Sequence, residues 1–356
     1  MTTLRCFYPI LLARAILLPG RAEEPPFYAE KSQLLYYLDQ QGRHHPVRTR
    51  ADWALRRGHI LANMQQVMGP LPRRKGTPLD VRVVEQARLG QLTRKKLTFV
   101  SEGGDRVPAY LFLPPRRAKR GPAVLCLHQT TGIGKGEPAG IGGLANLHYA
   151  KELAERGYVT LAPDYPTFGD YKPDPYAEGY VSGTMKGIFD HMRAVDLLVS
   201  LPEVDPERIG VIGHSLGGHN SLFLATFDRR VRVVVTSCGF NSFAKYYGGD
   251  LTGWSQQRYM PRIASIYEKS AAKMPFDFTE ILGALAPRPV FINAPRKDDN
   301  FEVSGVEDCV NAALPVYKQV FHAGDRLVVV HPDCPHDFLP DVREQAYKFL
   351  DRWLKL

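Results

Sequence analysis

The run Gly213-His214-Ser215-Leu216-Gly217 restricts most strongly how this chain can fold. A largely apolar run with β-branched residues, 208–212, precedes it, and residues 218–225, which have a helical pattern, follow it. This order predicts a strand, a tight turn and a helix. Because the flanking glycines carry no side chains that would collide with the neighbouring strand and helix, the Ser215 hydroxyl is expected to stand clear at a sheet edge beside a helix N-terminus.

The surrounding chain predicts the class α/β. Continuously apolar runs alternate with helical segments, which is typical of a mostly parallel sheet with helices on both faces. Eight strands are predicted, at residues 97–100, 107–113, 123–128, 159–164, 209–213, 231–236, 289–293 and 327–330. Helices are predicted at residues 51–68, 146–156, 183–201 and 343–354.

Composition shifts along the chain suggest its organisation. Residues 1–22 have a basic start, an apolar stretch and a small-x-small site, which indicate a signal peptide and export to the periplasm or medium; a cytoplasmic protein is the alternative. Residues 23–91 are predicted to form an N-terminal extension with one amphipathic helix, and residues 92–356 one catalytic domain. Within that domain, the aromatic-rich residues 240–287 exceed a simple connection and are interpreted as a lid over a pocket.

The net charge of +9 favours no particular partner. The basic residues accompany no zinc-ligand spacing or RNA-binding motif, so they are interpreted as solvated surface rather than a nucleic-acid site. After the leader, no apolar run is long enough to predict a membrane span. Cys126 and Cys238 are interpreted as buried free thiols, whereas Cys309 and Cys334 are the pair that an oxidising compartment could join.

A serine hydroxyl becomes an effective nucleophile when a histidine, oriented by a carboxylate, accepts its proton. Two loops after later predicted strands supply these groups. His336 is the predicted base, because it follows a strand and precedes the last helix. Asp298 is the predicted acid, with its neighbour Asp299 as the alternative. The expected oxyanion donors are the backbone N–H of Leu216 and that of Thr130, with Gln129 as the alternative for the second.

Five segments together resemble the α/β-hydrolase superfamily, and specifically its dienelactone hydrolase-like and acetyl xylan esterase-like branch. They are residues 127–135, 162–166, the run around Ser215, residues 294–301 and residues 335–338. The resemblance implies the α/β-hydrolase fold, acyl-enzyme chemistry on a small-molecule or carbohydrate ester, and no metal or organic cofactor. Two departures are evident: a dienelactone hydrolase proper uses cysteine where this chain has Ser215, and the segment His128-Gln129-Thr130 lacks the usual glycine.

Three functions fit these residues. The leading hypothesis is a serine carboxylic ester hydrolase with the triad Ser215, His336 and Asp298. The second is a peptidase of the prolyl-oligopeptidase type, which uses the same order of triad residues but has a β-propeller that the sequence does not predict. The third is a hydrolase-fold protein that binds a ligand without catalysis.

Overall fold

The computed structural model describes residues 24–73, 76–102, 104–115 and 119–355. The predicted signal peptide at residues 1–22 lies outside these ranges. The strands are Tyr36–Leu38 (β1), His44–Pro46 (β2), Arg82–Leu89 (β3), Leu92–Val100 (β4), Arg106–Leu113 (β5), Gly121–Leu127 (β6), Val159–Pro163 (β7), Val204–His214 (β8), Val231–Ser237 (β9), Val290–Asn293 (β10) and Leu327–Val330 (β11). The helices are Arg50–Met68 (α1), Tyr149–Glu155 (α2), Gly183–Ser200 (α3), Leu216–Phe227 (α4), Arg262–Ser265 (α5), Phe278–Leu285 (α6), Val303–Pro315 (α7) and Pro340–Leu354 (α8).

The central sheet has the strand order β11-β10-β9-β8-β6-β7-β5-β4-β3. The six strands from β11 to β7 pair in parallel, and β5, β4 and β3 add antiparallel strands at one edge. The predicted mostly parallel sheet is therefore confirmed. The predicted number of strands, eight, is one too few for the central sheet. The additional strand is β3, whose mostly exposed residues lack the apolar pattern from which the other eight were predicted.

Helices cover both faces of the sheet, as predicted. One face packs against α1, α3, α4, α6 and α7 in the larger hydrophobic core, and the other packs against α2 and α8. Parallel strands all end at the same edge of a sheet, so the loops after β6, β8, β10 and β11 meet there. Among the described residues, no helix has the length and apolar character needed to cross a membrane.

The helix α1 belongs to the larger core, although it lies in the predicted N-terminal extension. A capping box of Thr49 and Asp52 begins it, and Gly69, with φ of 89°, ends it. Its residues Trp53 and Ile60 are buried in the same core as the helices next to the sheet. The boundary predicted at residue 92 therefore does not separate two cores.

Residues 240–287, predicted as a lid, divide into two parts. Residues 246–255 form short 3-10 turns and α5 follows them. By contrast, Phe278, Ile281 and Leu285 of α6 are fully buried in the larger core. The lid prediction can therefore apply only to residues 240–276, because α6 is a core helix that leads into β10.

The four described cysteines are free and buried. This confirms the interpretation of Cys126 and Cys238. Cys309 and Cys334, the pair that could have been joined, are not bridged: Cys309 lies on α7 within the larger core, and Cys334 lies in the loop after β11.

Candidate active site

Ser215 lies at the sharp turn between β8 and α4. Its φ of 53° is in the left-handed region, which is rare for residues other than glycine. The flanking glycines permit this turn: a Cβ at Gly213 would lie 2.2 Å from the Gly217 carbonyl oxygen, and one at Gly217 would lie 2.0 Å from the Leu127 oxygen. The Ser215 N–H donates to the Ser237 carbonyl at 2.8 Å, which joins the turn to the end of β9.

Asp298 and His336 form a hydrogen-bonded pair at the same sheet edge. The Nδ1 atom of His336 lies 2.9 Å from both carboxylate oxygens of Asp298. The N–H groups of Asn300 and Phe301 donate to Oδ1 of Asp298 at 2.9 and 3.0 Å. Burial raises the pKa of Asp298, but the bond and charge of His336, together with these N–H groups, outweigh it and leave the pKa below its ordinary value.

Asp299, the alternative acid, has a different environment. Asp299 is exposed to solvent, and no hydrogen bond joins it to His336. The Asp298 side chain, by contrast, is only 1% exposed. Of the two adjacent carboxylates, the structure therefore brings the one favoured by the sequence into contact with the histidine.

The ring of His336 lies beside the turn that carries Ser215. Its centroid is 4.8 Å from that of His214, in an edge-to-face contact, and its side chain is 21% exposed. Within the described residues, no direct hydrogen bond joins Ser215 Oγ to His336. Hydrogen bonds between a catalytic serine and histidine are often long in an enzyme without substrate. Rotation about the Cα–Cβ bond of Ser215 changes the separation of its Oγ from the His336 ring.

The two predicted oxyanion segments flank Ser215. The N–H of Leu216 is in the first turn of α4, where N–H groups have no acceptor within the helix. On the other side, Tyr165 N–H donates to His128 Nε2 at 2.9 Å, so the ring carries its proton on Nδ1, which donates to the Gln129 carbonyl at 2.6 Å. This bond fixes the peptide plane between Gln129 and Thr130. Because the peptide is trans, the Thr130 N–H points away from the His128 ring.

The first part of the predicted lid contacts this segment. Tyr259 OH lies 3.3 Å from Thr130 Oγ1, and its ring packs with Tyr165, Phe168 and Leu216. Nearby, the Trp254 ring is 4.8 Å from that of His219, one turn along α4 from Ser215. Residues 254–259 therefore lie against both sides of the turn.

The sequence did not reveal a group of polar residues behind His336. Asn293 Nδ2 donates to Ser237 Oγ at 2.8 Å and to the Asp337 carbonyl at 2.9 Å, and Ser237 Oγ is 2.9 Å from His214 Nδ1. These bonds join the ends of β8, β9 and β10 to the loop of His336. The available signal was that Asn293 ends a predicted strand and that His214 and Ser237 each directly follow one, but only the strand order shows which strand ends are neighbours.

Cys238 lies in the same group. Its Sγ, an Asp298 oxygen and a His336 ring nitrogen lie within 4.8 Å of one another, a spacing that three metal ligands can have. Burial, followed by the charge of Asp298, raises the pKa of the Cys238 thiol well above its ordinary value. Both carboxylate oxygens of Asp298 already contact His336 and one also accepts from two N–H groups, so these residues fit an acid–base pair better than a metal site.

The sequence model of the family described as "Alpha/beta hydrolase family" matches residues 124–354, which contain all three predicted triad residues. The chain belongs to the alpha/beta hydrolase family. It is a hydrolase, and the fold predicted from the sequence resemblance is confirmed.

Three similar proteins extend the comparison. YtaP of Bacillus subtilis (strain 168) is 28% identical over 303 residues, which cover 81% of this chain and 97% of that protein. A glucuronoyl esterase from Solibacter usitatus has a TM-score of 0.70 at 19% identity, over 93% of this chain and 98% of its own. An acetyl xylan esterase from Paenibacillus sp. R4 has a TM-score of 0.59 at 19% identity, over 83% of this chain and 99% of its own. The predicted likeness to acetyl xylan esterases therefore holds at the level of the fold.

Proposed function

We propose that this hydrolase is a serine carboxylic ester hydrolase that works through an acyl-enzyme. The observation that carries the proposal is the contact of His336 Nδ1 with both oxygens of Asp298, beside the turn that presents Ser215. A histidine held in this way keeps its proton on Nδ1 and leaves Nε2 free to accept a proton from serine. The buried, ionised Asp298 also stabilises the imidazolium that then forms.

The reaction follows from these roles. Ser215 Oγ attacks the ester carbonyl while His336 takes its proton, and the resulting oxyanion is held by the N–H groups of Leu216 and Thr130, with Gln129 as the alternative to Thr130. His336 then protonates the departing alcohol, which leaves an ester of Ser215. Water attacks this acyl-enzyme with His336 again as the base, which releases the acid and restores Ser215.

The second oxyanion donor is supported by the contact that fixes its peptide. Because His128 holds the Gln129 carbonyl, the direction of the Thr130 N–H is set before a substrate binds. A donor fixed in advance stabilises a developing charge without reorganisation, and removing one such donor costs roughly 3 kcal/mol of transition-state stabilisation.

Esters of carbohydrates are the substrate class we propose. The glucuronoyl esterase and acetyl xylan esterase that share the fold are named for such substrates. An exposed aromatic ring also lies near the acid: Tyr247 is 62% exposed, and its hydroxyl donates to Asn300 at 3.2 Å. A flat ring with a polar tip suits a sugar face. Such substrates agree with export of the chain through residues 1–22, which we also propose.

The proposal is tested by labelling and turnover. A fluorophosphonate should add one phosphonyl group to the wild type and none to Ser215→Ala, whereas Ser255→Ala, a change at a half-buried serine of residues 246–255, should still be labelled. Ester hydrolysis should fall by about 10⁴-fold or more in Ser215→Ala.

The substrate panel contains p-nitrophenyl acetate, acetylated xylan, a methyl glucuronate ester and a proline amide. The ester proposal is wrong if the proline amide is the best substrate, which would favour the peptidase. Absence of labelling at Ser215 in folded protein would favour a binding protein without catalysis. Turnover of p-nitrophenyl acetate alone would support an esterase but contradict the carbohydrate assignment.

A further inference from the structure

A cavity of about 540 Å³ lies away from Ser215 and is lined by six arginines. Trp53 and Phe321 form part of its apolar wall. Its arginines come from α1, from the segments that begin β9 and β10, and from the turn before β11: Arg50, Arg57, Arg229, Arg232, Arg288 and Arg326.

This cavity is at the opposite edge of the sheet from the proposed active site. Arg232 and Pro289 stand at the start of β9 and β10, whereas Ser237 and Asn293 end those strands beside His336. A strand of seven residues spans about 20 Å, so the two sites are separated by roughly that distance. A ligand in this cavity would therefore not contact the triad.

Most of the positive charge in the cavity is not neutralised. Within the described part of the chain, Arg232 alone of the six has a carboxylate partner, Glu207. Arg57 donates to the carbonyl oxygens of Ala284 at 2.9 Å and Thr226 at 2.5 Å, and Arg288 donates to that of Val231 at 3.1 Å. Carbonyl oxygens fix these side chains but carry no net charge to balance them.

The remaining arginines show the same pattern. Arg326 donates to the Pro287 carbonyl at 3.2 Å, and the Arg50 guanidinium lies 5.7 Å from the Phe321 ring centroid. Arg229 is exposed and makes no hydrogen bond or ion pair with a described residue. Five guanidinium groups thus surround one cavity without a carboxylate partner among the described residues.

The arginines repel one another. Burial, followed by the charge of Arg229, lowers the pKa of Arg57 to about 10, and burial, followed by the charge of Arg57, lowers that of Arg288 to about 10. An anion between them would relieve this repulsion. Among the described residues, Glu207 pairs with Arg232 and the charge of Asp228 acts on Arg288, so the acids near the cavity are fewer than its six guanidinium groups.

We propose that this cavity binds a compact small molecule that carries several phosphate groups. A phosphate brings nearly two negative charges and three acceptor oxygens, which match the planar fork of arginine. The volume is that of an ordinary small-molecule site. A uronate brings only one charge for each sugar ring, so a chain of uronates that balanced five arginines would be too long for this cavity.

The test is calorimetric titration of tripolyphosphate into the full chain at about 50 and 200 mM salt. Arg50→Ala/Arg229→Ala removes the two arginines that make no hydrogen bond with a described residue. The matched control is Arg82→Ala/Arg88→Ala, which removes two exposed arginines from the edge strand β3 and changes the net charge equally. We expect the Kd to rise at least tenfold in the first variant and less than twofold in the control, with unchanged ester hydrolysis in both.

Three outcomes would overturn the proposal. The wild type could fail to bind tripolyphosphate, or both double variants could weaken binding equally, which would indicate attraction to the overall charge. Binding of trigalacturonate as tightly as tripolyphosphate would contradict the preference for phosphate. Loss of binding in the first variant alone, with ester hydrolysis retained, supports the site independently of the proposed esterase activity.

Discussion

At the scale of single residues, the proposed chemistry depends on a strained serine and on one of two adjacent carboxylates. A positive φ at a residue other than glycine costs about 1–3 kcal/mol, and at Ser215 the surrounding strands sustain that cost. Asp298 and Asp299 are identical in chemistry and differ only in environment. The contrast between them therefore isolates the effect of position.

Asp298→Asn should lower kcat by about 10³–10⁴-fold, because the amide NH2 can donate a hydrogen bond to an unprotonated Nδ1 and so stabilise the wrong tautomer of His336. Asp299→Asn, the matched control, should stay within about twofold of the wild type. Steady-state hydrolysis of p-nitrophenyl acetate measures both, with melting temperatures as the check on folding. An equal loss in the two variants, or a greater loss in Asp299→Asn, would contradict the assignment of the acid.

At the scale of elements, a charged cluster holds the loop after β6. Lys135 Nζ lies 2.7 Å from the buried Asp164 and 2.8 Å from Asp170, which also contacts Lys96 of β4 at 2.9 Å. The backbone N–H of Lys135 donates to Asp164 at 2.7 Å. This loop contains Gln129 and Thr130, so the cluster connects the second proposed oxyanion donor to the antiparallel edge of the sheet.

This cluster predicts a pH dependence of stability. The hydrogen bonds from Lys135 and then Lys96 lower the pKa of Asp170 to about 2. A lowered pKa means that the stabilisation is complete above about pH 4 and is lost as the pH falls from 4 towards 2. Asp170→Asn should therefore lower the free energy of unfolding at pH 7 by about 1 kcal/mol or less, since the carboxylate is half exposed.

Urea unfolding of the wild type and Asp170→Asn at pH 7, 5 and 3 measures this effect. The difference in unfolding free energy should narrow at pH 3, where the wild-type carboxylate begins to protonate. A difference that stays constant from pH 7 to 3 would mean that the charge of Asp170 does not stabilise the loop.

Elements with a clear local pattern were predicted from the sequence, and the others were not. The apolar strands β6, β7 and β9 to β11 and the helix α3 match their predictions closely, because buried strands and helices leave a local signal. The strand β8 was also predicted, but it begins five residues earlier than expected, at Val204. The edge strand β3 was missed since its side chains face solvent. The contact of Asn293 with Asp337 joins two distant segments, so it follows from the strand order rather than from either local sequence.

At the scale of the whole molecule, one core joins segments that the sequence analysis assigned to separate parts. Arg56 of α1 and Glu280 of α6 form an ion pair at 2.6 Å, and both side chains are fully buried. The Arg56 guanidinium also lies 3.3 Å from the Tyr28 ring centroid. Because this pair connects the predicted extension to the helix that leads into β10, α1 and the sheet are expected to unfold together.

Removing one partner of this pair should be far more costly than removing both. Arg56→Ala leaves the Glu280 carboxylate buried without its cation, which should cost about 3–5 kcal/mol, whereas Arg56→Met/Glu280→Leu should cost much less, because no unpaired charge remains. Arg43→Ala is the control, since its ion pair with Asp39 is exposed. Urea unfolding followed by circular dichroism and tryptophan fluorescence should give one coincident transition for each protein. Separate transitions would mean that α1 unfolds independently of the sheet. Equal losses of unfolding free energy in the single and double variants would mean that packing rather than charge dominates at this position.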